Sequence, residues 1–218
     1  MKLTAIVSLL AATAAFAATP VAALPKPAQP WEASLFVGQQ THNSTTIVAG
    51  TDGSKPEKVI VPAIRLGYDF FTFSDTMSLQ GNIGCQFEKK AEIQTDVKGK
   101  SISFGSYSQE SISLGAMFQY RNVVDLGAGL DWRFEKNNIE AGGVEGYHRN
   151  SRPWVRANVG YTFASSSLSP FVKFEVAAPL KSDSYDHNAK MDTTSENNAI
   201  ADALASKLQI GLVGGVRF

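Results

Sequence analysis

The sequence predicts an all-β protein: an eight-stranded antiparallel transmembrane up-and-down β-barrel with long extracellular loops and short periplasmic turns. Three observations predict it. Apolar and polar residues alternate with period two along eight segments, glycines and charges crowd the polar row, and the connections alternate between long and short.

The first element is an export signal over residues 1–23. Lys2 is its sole charge, Leu3 to Leu10 form an apolar core, and Ala15-Phe16-Ala17 is an A-x-A site, so cleavage is expected after Ala17 or after Ala23. An uncleaved anchor is the alternative, and the small-residue run with Pro20 argues against it. Residues 24–30 then read as a proline-rich periplasmic segment and 31–218 as the barrel. Nowhere else does the chain approach the roughly 20 apolar residues of a spanning helix, so any membrane crossing is by strands. With 20 basic against 20 acidic side chains in 218 residues, nothing favours a nucleic-acid partner. The single cysteine, Cys85, has no partner for an internal disulfide and reads as a small apolar side chain.

The strands follow in order. The first sets Trp31, Ala33, Leu35 and Val37 opposite Glu32, Ser34 and Gly38. The second sets Ile60, Ile64, Leu66, Tyr68 and Phe70 opposite Arg65, Gly67 and Asp69; Pro62, which lacks a ladder donor, predicts a bulge or a strand that begins after it. The clearest segment alternates Met77, Leu79, Gly81, Ile83, Cys85, Phe87 with Ser78, Gln80, Asn82, Gly84, Gln86, long enough to cross a bilayer obliquely in the roughly 9–11 residues required. Apolar rows return at Ile112 to Tyr120, Val124 to Phe134, Val155 to Phe163, Val172 to Leu180 and Leu208 to Phe218. Long connections fall near 40–56, 89–107, 136–150 and 181–206, short ones near 71–76, 121–123 and 164–169, which puts both termini on the periplasmic side. In the last long loop, Ser195-Glu196 followed by Ala199, Ile200, Ala203 and Leu204 predicts a short capped helix.

The structural rival is a soluble lipocalin-like barrel, in which the apolar row would line the interior. The polar row argues against it, because Gly67, Gly84, Gly115, Gly127, Gly129, Gly160, Gly211 and Gly215 weaken a strand in water but make room inside a narrow barrel. With that orientation Arg65, Asp131, Arg133, Arg156, Lys173 and Glu175 are expected to form a lumen network of ion pairs, since unpaired charges there are costly. Asp125, Glu135 and Arg217 are expected to meet water at the barrel mouths. Tyr68, Phe70, Phe118, Tyr120, Tyr161, Phe163 and Phe218 form a predicted periplasmic aromatic girdle; Trp132, Phe134 and Phe87 form the outer one.

These features, with the terminal strand Gln209 to Phe218, resemble the small outer-membrane β-barrels of Gram-negative bacteria. That superfamily includes the outer membrane protein A barrel, the OmpX-like proteins and the opacity proteins, and the resemblance covers essentially the whole mature chain. It implies insertion in outer-membrane lipid and lipopolysaccharide, and it implies that Val216 and Phe218 are the signal read by the barrel-assembly machinery. The glycine usual five residues before the end is replaced by Val213, with Gly211, Gly214 and Gly215 nearby. Nothing after Phe218 corresponds to the peptidoglycan-binding domain of the larger relatives, so cell-wall tethering is not expected.

His42, His148 and His187 fall on three predicted loops without ligand-like spacing and read as solvated, so no metal or other cofactor is expected. His42-Asn43-Ser44 resembles the H-x-S element of lipid A deacylases, but it lies among loop Thr and Asn residues with no third group to orient a base. An enzyme is therefore not expected. The leading reading is a structural or surface-interaction barrel, with an extracellular ligand met by loops 40–56, 89–107, 136–150 and 181–206. The alternatives are a small pore or transporter for small or hydrophobic solutes and, least supported, a lipid A-modifying enzyme.

Overall fold

The computed structural model of the chain describes residues 29–42, 54–56, 59–87, 90–97, 100–141, 144–163, 167–180 and 205–218. The signal segment, most of the proline-rich segment, Ser44, His187 and the short helix expected at 195–204 lie outside the described residues, as do the side chains of His42 and His148. The described strands are β1 (Trp31–His42), β2 (Ser54–Pro56), β3 (Val59–Ser74), β4 (Met77–Phe87) and β5 (Ala91–Val97). They continue with β6 (Lys100–Arg121), β7 (Asp125–Ala141), β8 (Val144–Thr162), β9 (Ser169–Pro179) and β10 (Ser206–Arg217).

Eight of these close a ring in the order β1, β3, β4, β6, β7, β8, β9, β10, with every neighbour antiparallel. The seam is β1 against β10, from Glu32↔Arg217 up to His42↔Ser206. Trp31 and Phe218 complete it, each N–H donating to the other's carbonyl at 3.1 Å. Closure leaves no sheet edge within the ring, which is the condition for strands to exist in hydrocarbon.

The period-two rows take opposite environments. Ile64 and Leu114 are each 61% exposed on the outside, with Leu35, Leu130, Val172 and Leu212 around the circumference. Lys173 and Arg152, on the opposite parity of their strands, are 1% exposed inside. A soluble barrel would show the reverse, and contiguous apolar surface on this scale is rare on monomers in water. The outward row therefore fits hydrocarbon. Cys85 is exposed on this same face, and several aromatic residues cluster at the end of the ring where β1 starts, while Trp132 and Phe134 stand mid-strand in β7. Trp31 packs on Tyr68 with centroids 4.6 Å apart, Tyr161 on Phe163 at 4.9 Å, and Phe73 reaches Phe118 at 5.9 Å.

The structure corrects two expectations. β3 begins at Val59 and passes Pro62 without a bulge, in register with Val37. The ladder to β4 starts only at Ala63↔Gln86, so β3 is paired on one side at Pro62 and a missing donor is tolerated. The irregularities in β3 lie instead near its other end, between Asp69 and Phe71 and between Thr72 and Ser74, where Phe71 and Phe73 turn outward. Finally, residues expected in the long loops 89–107 and 136–150 are largely strand. β6 pairs with β7 from Arg121↔Asp125 to Gly105↔Ala141, and β7 with β8 up to Ala141↔Val144, so His148 stands in a strand. The 22 residues of β6 run roughly 70 Å along the strand at about 3.3 Å each, far more than a bilayer crossing needs. β5 and β2 extend this projecting sheet on its other side, β5 pairing with β6 and β2 with β5.

Orientation yields a direct test. Leu114→Arg places a charge on the lipid face near the middle of β6 and is expected to cost about 2–4 kcal/mol in chemical unfolding from phospholipid vesicles. On a water-facing surface the same change would fall within about 0.5 kcal/mol, and such a result would reverse the assigned orientation.

Candidate functional site

The distinctive site is the lumen, which side chains fill in three tiers. Strand pairing fixes the order, because Glu32 and Arg217 lie at the end where β1 starts and β10 stops, while Gln40 and Gln209 lie toward the other.

In the first tier Glu32 accepts from Lys173 Nζ at 3.3 Å and from Arg217 Nε at 3.1 Å. Arg217 Nη2 also lies 3.5 Å from Asp125 Oδ2, to which the Thr162 hydroxyl donates. Across the same tier Arg121 makes a two-nitrogen fork onto Asp69 and donates to Ser78 Oγ at 2.9 Å. The Phe171 ring lies beneath these cations, its centroid 4.4 Å from Lys173 Nζ and 5.4 Å from Arg217 Cζ.

The middle tier is a chain of alternating charge. Arg133 Nη2 lies 3.7 Å from Asp131 Oδ2, and Asp131 Oδ1 lies 3.0 Å from Arg156 Nη2. Arg156 Nη1 lies 3.8 Å from Glu175 Oε2, and Glu175 Oε1 lies 2.7 Å from Arg65 Nη1. The β7–β8 register sets Gly129 opposite Arg156, two residues from Asp131, and the missing Cβ at Gly129 clears space for Met117.

The third tier is dominated by amides. Arg152 pairs with Glu135 at 3.0 Å and donates to the Ser206 carbonyl at 2.7 Å. Trp154 Nε1 donates to Glu135 at 3.1 Å, and its ring is flanked by Arg133 at 4.0 Å and Arg152 at 5.1 Å. Each cation–π contact of this desolvated kind is worth on the order of 2 kcal/mol. Above them Arg133 donates to Gln209, Gln209 to Gln86, Gln86 to Gln40, and Gln40 to Gln109 and Ser206.

Glycines decide what fits. Gly38 and Gly211 face one another across the seam, and a Cβ on either would strike the tip of the Phe36 ring. Gly215 makes the same allowance for Phe171, and Gly115 for Asp131. Small cavities remain between the described side chains, one beside Arg65 and Arg133 and another beside Glu32 and Lys173, each with room for about one water.

Of the six residues expected in the lumen, Arg65, Asp131, Arg133, Arg156 and Glu175 meet in the middle tier, while Lys173 belongs to the first with Glu32. Asp125, Glu135 and Arg217, expected at the mouths, are buried at 0%, 3% and 4% exposure. Each has a cation or carboxylate within reach, so none needs bulk water. Sequence reasoning missed Arg152, the Arg121–Asp69 pair, the glutamine relay and the lumen aromatics Phe36, Trp154 and Phe171. Parity carried the signal for the aromatics: Phe36 is in phase with Ser34 and Gly38, Trp154 with Arg156, and Phe171 with Lys173.

No protein-family model and no curated protein matches the chain. Among solved structures it is similar to Neisserial surface protein A, at 12% identity and a TM-score of 0.47 over 86% of this chain and 95% of that one. It is also similar to Ail, the attachment invasion locus protein of Yersinia pestis, at 12% identity and 0.46 over 87% and 99%. A third is a major outer membrane protein from Thermus thermophilus, at 10% identity and 0.49 over 86% and 99%.

Arg156 sits between two carboxylates, so Arg156→Ala is expected to destabilise the barrel by about 3–5 kcal/mol, as removal of one partner of a buried pair does. Gly211→Val is expected to cost about 1–3 kcal/mol by crowding Phe36. Urea unfolding followed by the heat-modifiable gel mobility of the barrel measures both, and unchanged midpoints would mean the tiers are not packed as described.

Proposed function

We infer that the chain is an integral outer-membrane barrel with a structural or surface-interaction role, its walls in lipid and its lumen closed to solutes. The observation that supports this most is the filling of the lumen by buried ion pairs, amides and aromatic rings through three successive tiers. A water-filled path would require separating several charges that compensate one another in a low-dielectric interior. The apolar exterior and the closed seam support the membrane setting, and the sequence resemblance supports the outer membrane in particular.

The surface role is carried in this reading by the sheet formed where β5, β6, β7 and β8 rise beyond the lipid-facing rows. Polar side chains stand on both of its faces, Ser106, Ser108, Asn138 and Arg149 on the outer one and Gln109, Asn137 and Asn150 on the inner. Lys90 and Glu140 are bonded across it, and that hydrogen bond holds the Glu140 carboxyl below its usual range. Exposed pairs of this kind add little stability, so the rigidity of the projection comes from its ladders. In this reading the short turns and both termini face the periplasm.

Two measurements test the proposal. Purified protein in planar bilayers is expected to give no steady unitary conductance, and reproducible channel steps would promote the pore. An epitope inserted between Ala141 and Val144 is expected to bind antibody on intact cells; reactivity only after outer-membrane permeabilisation would invert the assigned topology.

A further inference from the structure

The middle tier is an open chain that begins and ends with arginine: Arg133, Asp131, Arg156, Glu175, Arg65. Its two carboxylates are each shared, so three guanidiniums face two anions. The other buried acids near it are committed elsewhere, Glu135 to Arg152 and Trp154 and Glu32 to Lys173 and Arg217. Both terminal arginines line one and the same cavity, completed by Ala63, Gly84, Cys85, Gln86, Ser111 and Ser113. Among the described residues, no carboxylate lines it. Arg133 is 3% exposed and its Nε has no hydrogen-bond partner. Two serine hydroxyls supply further donors, and Gly84 keeps the space clear, since a Cβ there would meet Ser113 Oγ and the Arg65 stem.

We propose that this cavity binds a small monovalent anion of the halide class between Arg65 and Arg133. The anion closes the five-membered chain into a ring of alternating charge, and it offsets the excess guanidinium that burial would otherwise leave half-compensated. A cavity with room for about one water-sized sphere suits a halide and rejects carboxylates of any bulk, phosphate and sulfate. Because the lumen is filled above and below, the ion enters as the barrel closes and exchanges slowly afterwards. It is a structural ligand.

The test uses the full barrel refolded from urea into detergent in sodium bromide, chloride or gluconate at equal ionic strength. Crystals grown from bromide are expected to show an anomalous peak within hydrogen-bond distance of both guanidiniums. Unfolding is expected at higher urea in chloride than in gluconate. Ser113→Asp, which places a tethered carboxylate opposite Arg133, is expected to fold, lose the bromide peak and unfold alike in the two salts. A wild-type cavity without an anomalous peak, or wild-type unfolding that is identical in chloride and gluconate, overturns the proposal; either result leaves the non-conducting barrel intact. Arg133→Gln is a weaker probe because it also breaks the contact to Asp131.

Discussion

A ring of eight strands encloses a space that side chains alone can fill, and everything inside it must be satisfied without bulk water. Around this chain the surrounding solvent is hydrocarbon, so the apolar residues that stabilise a soluble core are spent on the outer surface. The interior has to be built from what remains. Arginines, acids, glutamines and a few rings are fitted together there, with glycines clearing space for the largest of them. Phe36 over the Gly38–Gly211 pair and Asp131 over Gly115 show the same device at two heights.

This inverted packing changes how stability is distributed. In a soluble barrel the core is apolar and loss of one contact is local. Here the charges of the middle tier form one connected chain, and Asp131 and Glu175 each serve two arginines. Removing one partner strands another in a medium that penalises it by several kcal/mol. The aromatic rings moderate this cost: Trp154 and Phe171 cover cations whose carboxylates do not enclose them fully, giving a guanidinium or ammonium a face to rest on where no further anion fits.

Beyond the membrane the constraint relaxes, and the architecture changes character. The ladders of β6, β7 and β8 continue, but neither face must be apolar. The projecting sheet is thus free to vary in side-chain chemistry while its backbone is held by the barrel below. In the proposed reading this polar, elevated surface is the part that meets the environment, and the filled barrel beneath it is the anchor.

The sequence by itself determined the eight-strand barrel, the assignment of rows to lipid and lumen, and the membership of most lumen charges, because period two converts directly into inside and outside. It failed where that contrast vanishes. Residues 136–150 are largely polar on both parities, so the strands there carried no readable alternation. In β5 Ala91, Ile93 and Val97 did alternate with Glu92, Gln94 and Asp96, but the segment is too short to span a bilayer and read as loop. Phe36, Trp154 and Phe171 were hidden for the opposite reason: they are apolar residues on the polar row. Which charge meets which was decided only by tertiary structure, since partners such as Arg65 and Glu175 lie 110 residues apart on strands that are not neighbours in the ring. Their contact depends on the diameter of the closed barrel and on the glycines that let long side chains cross it.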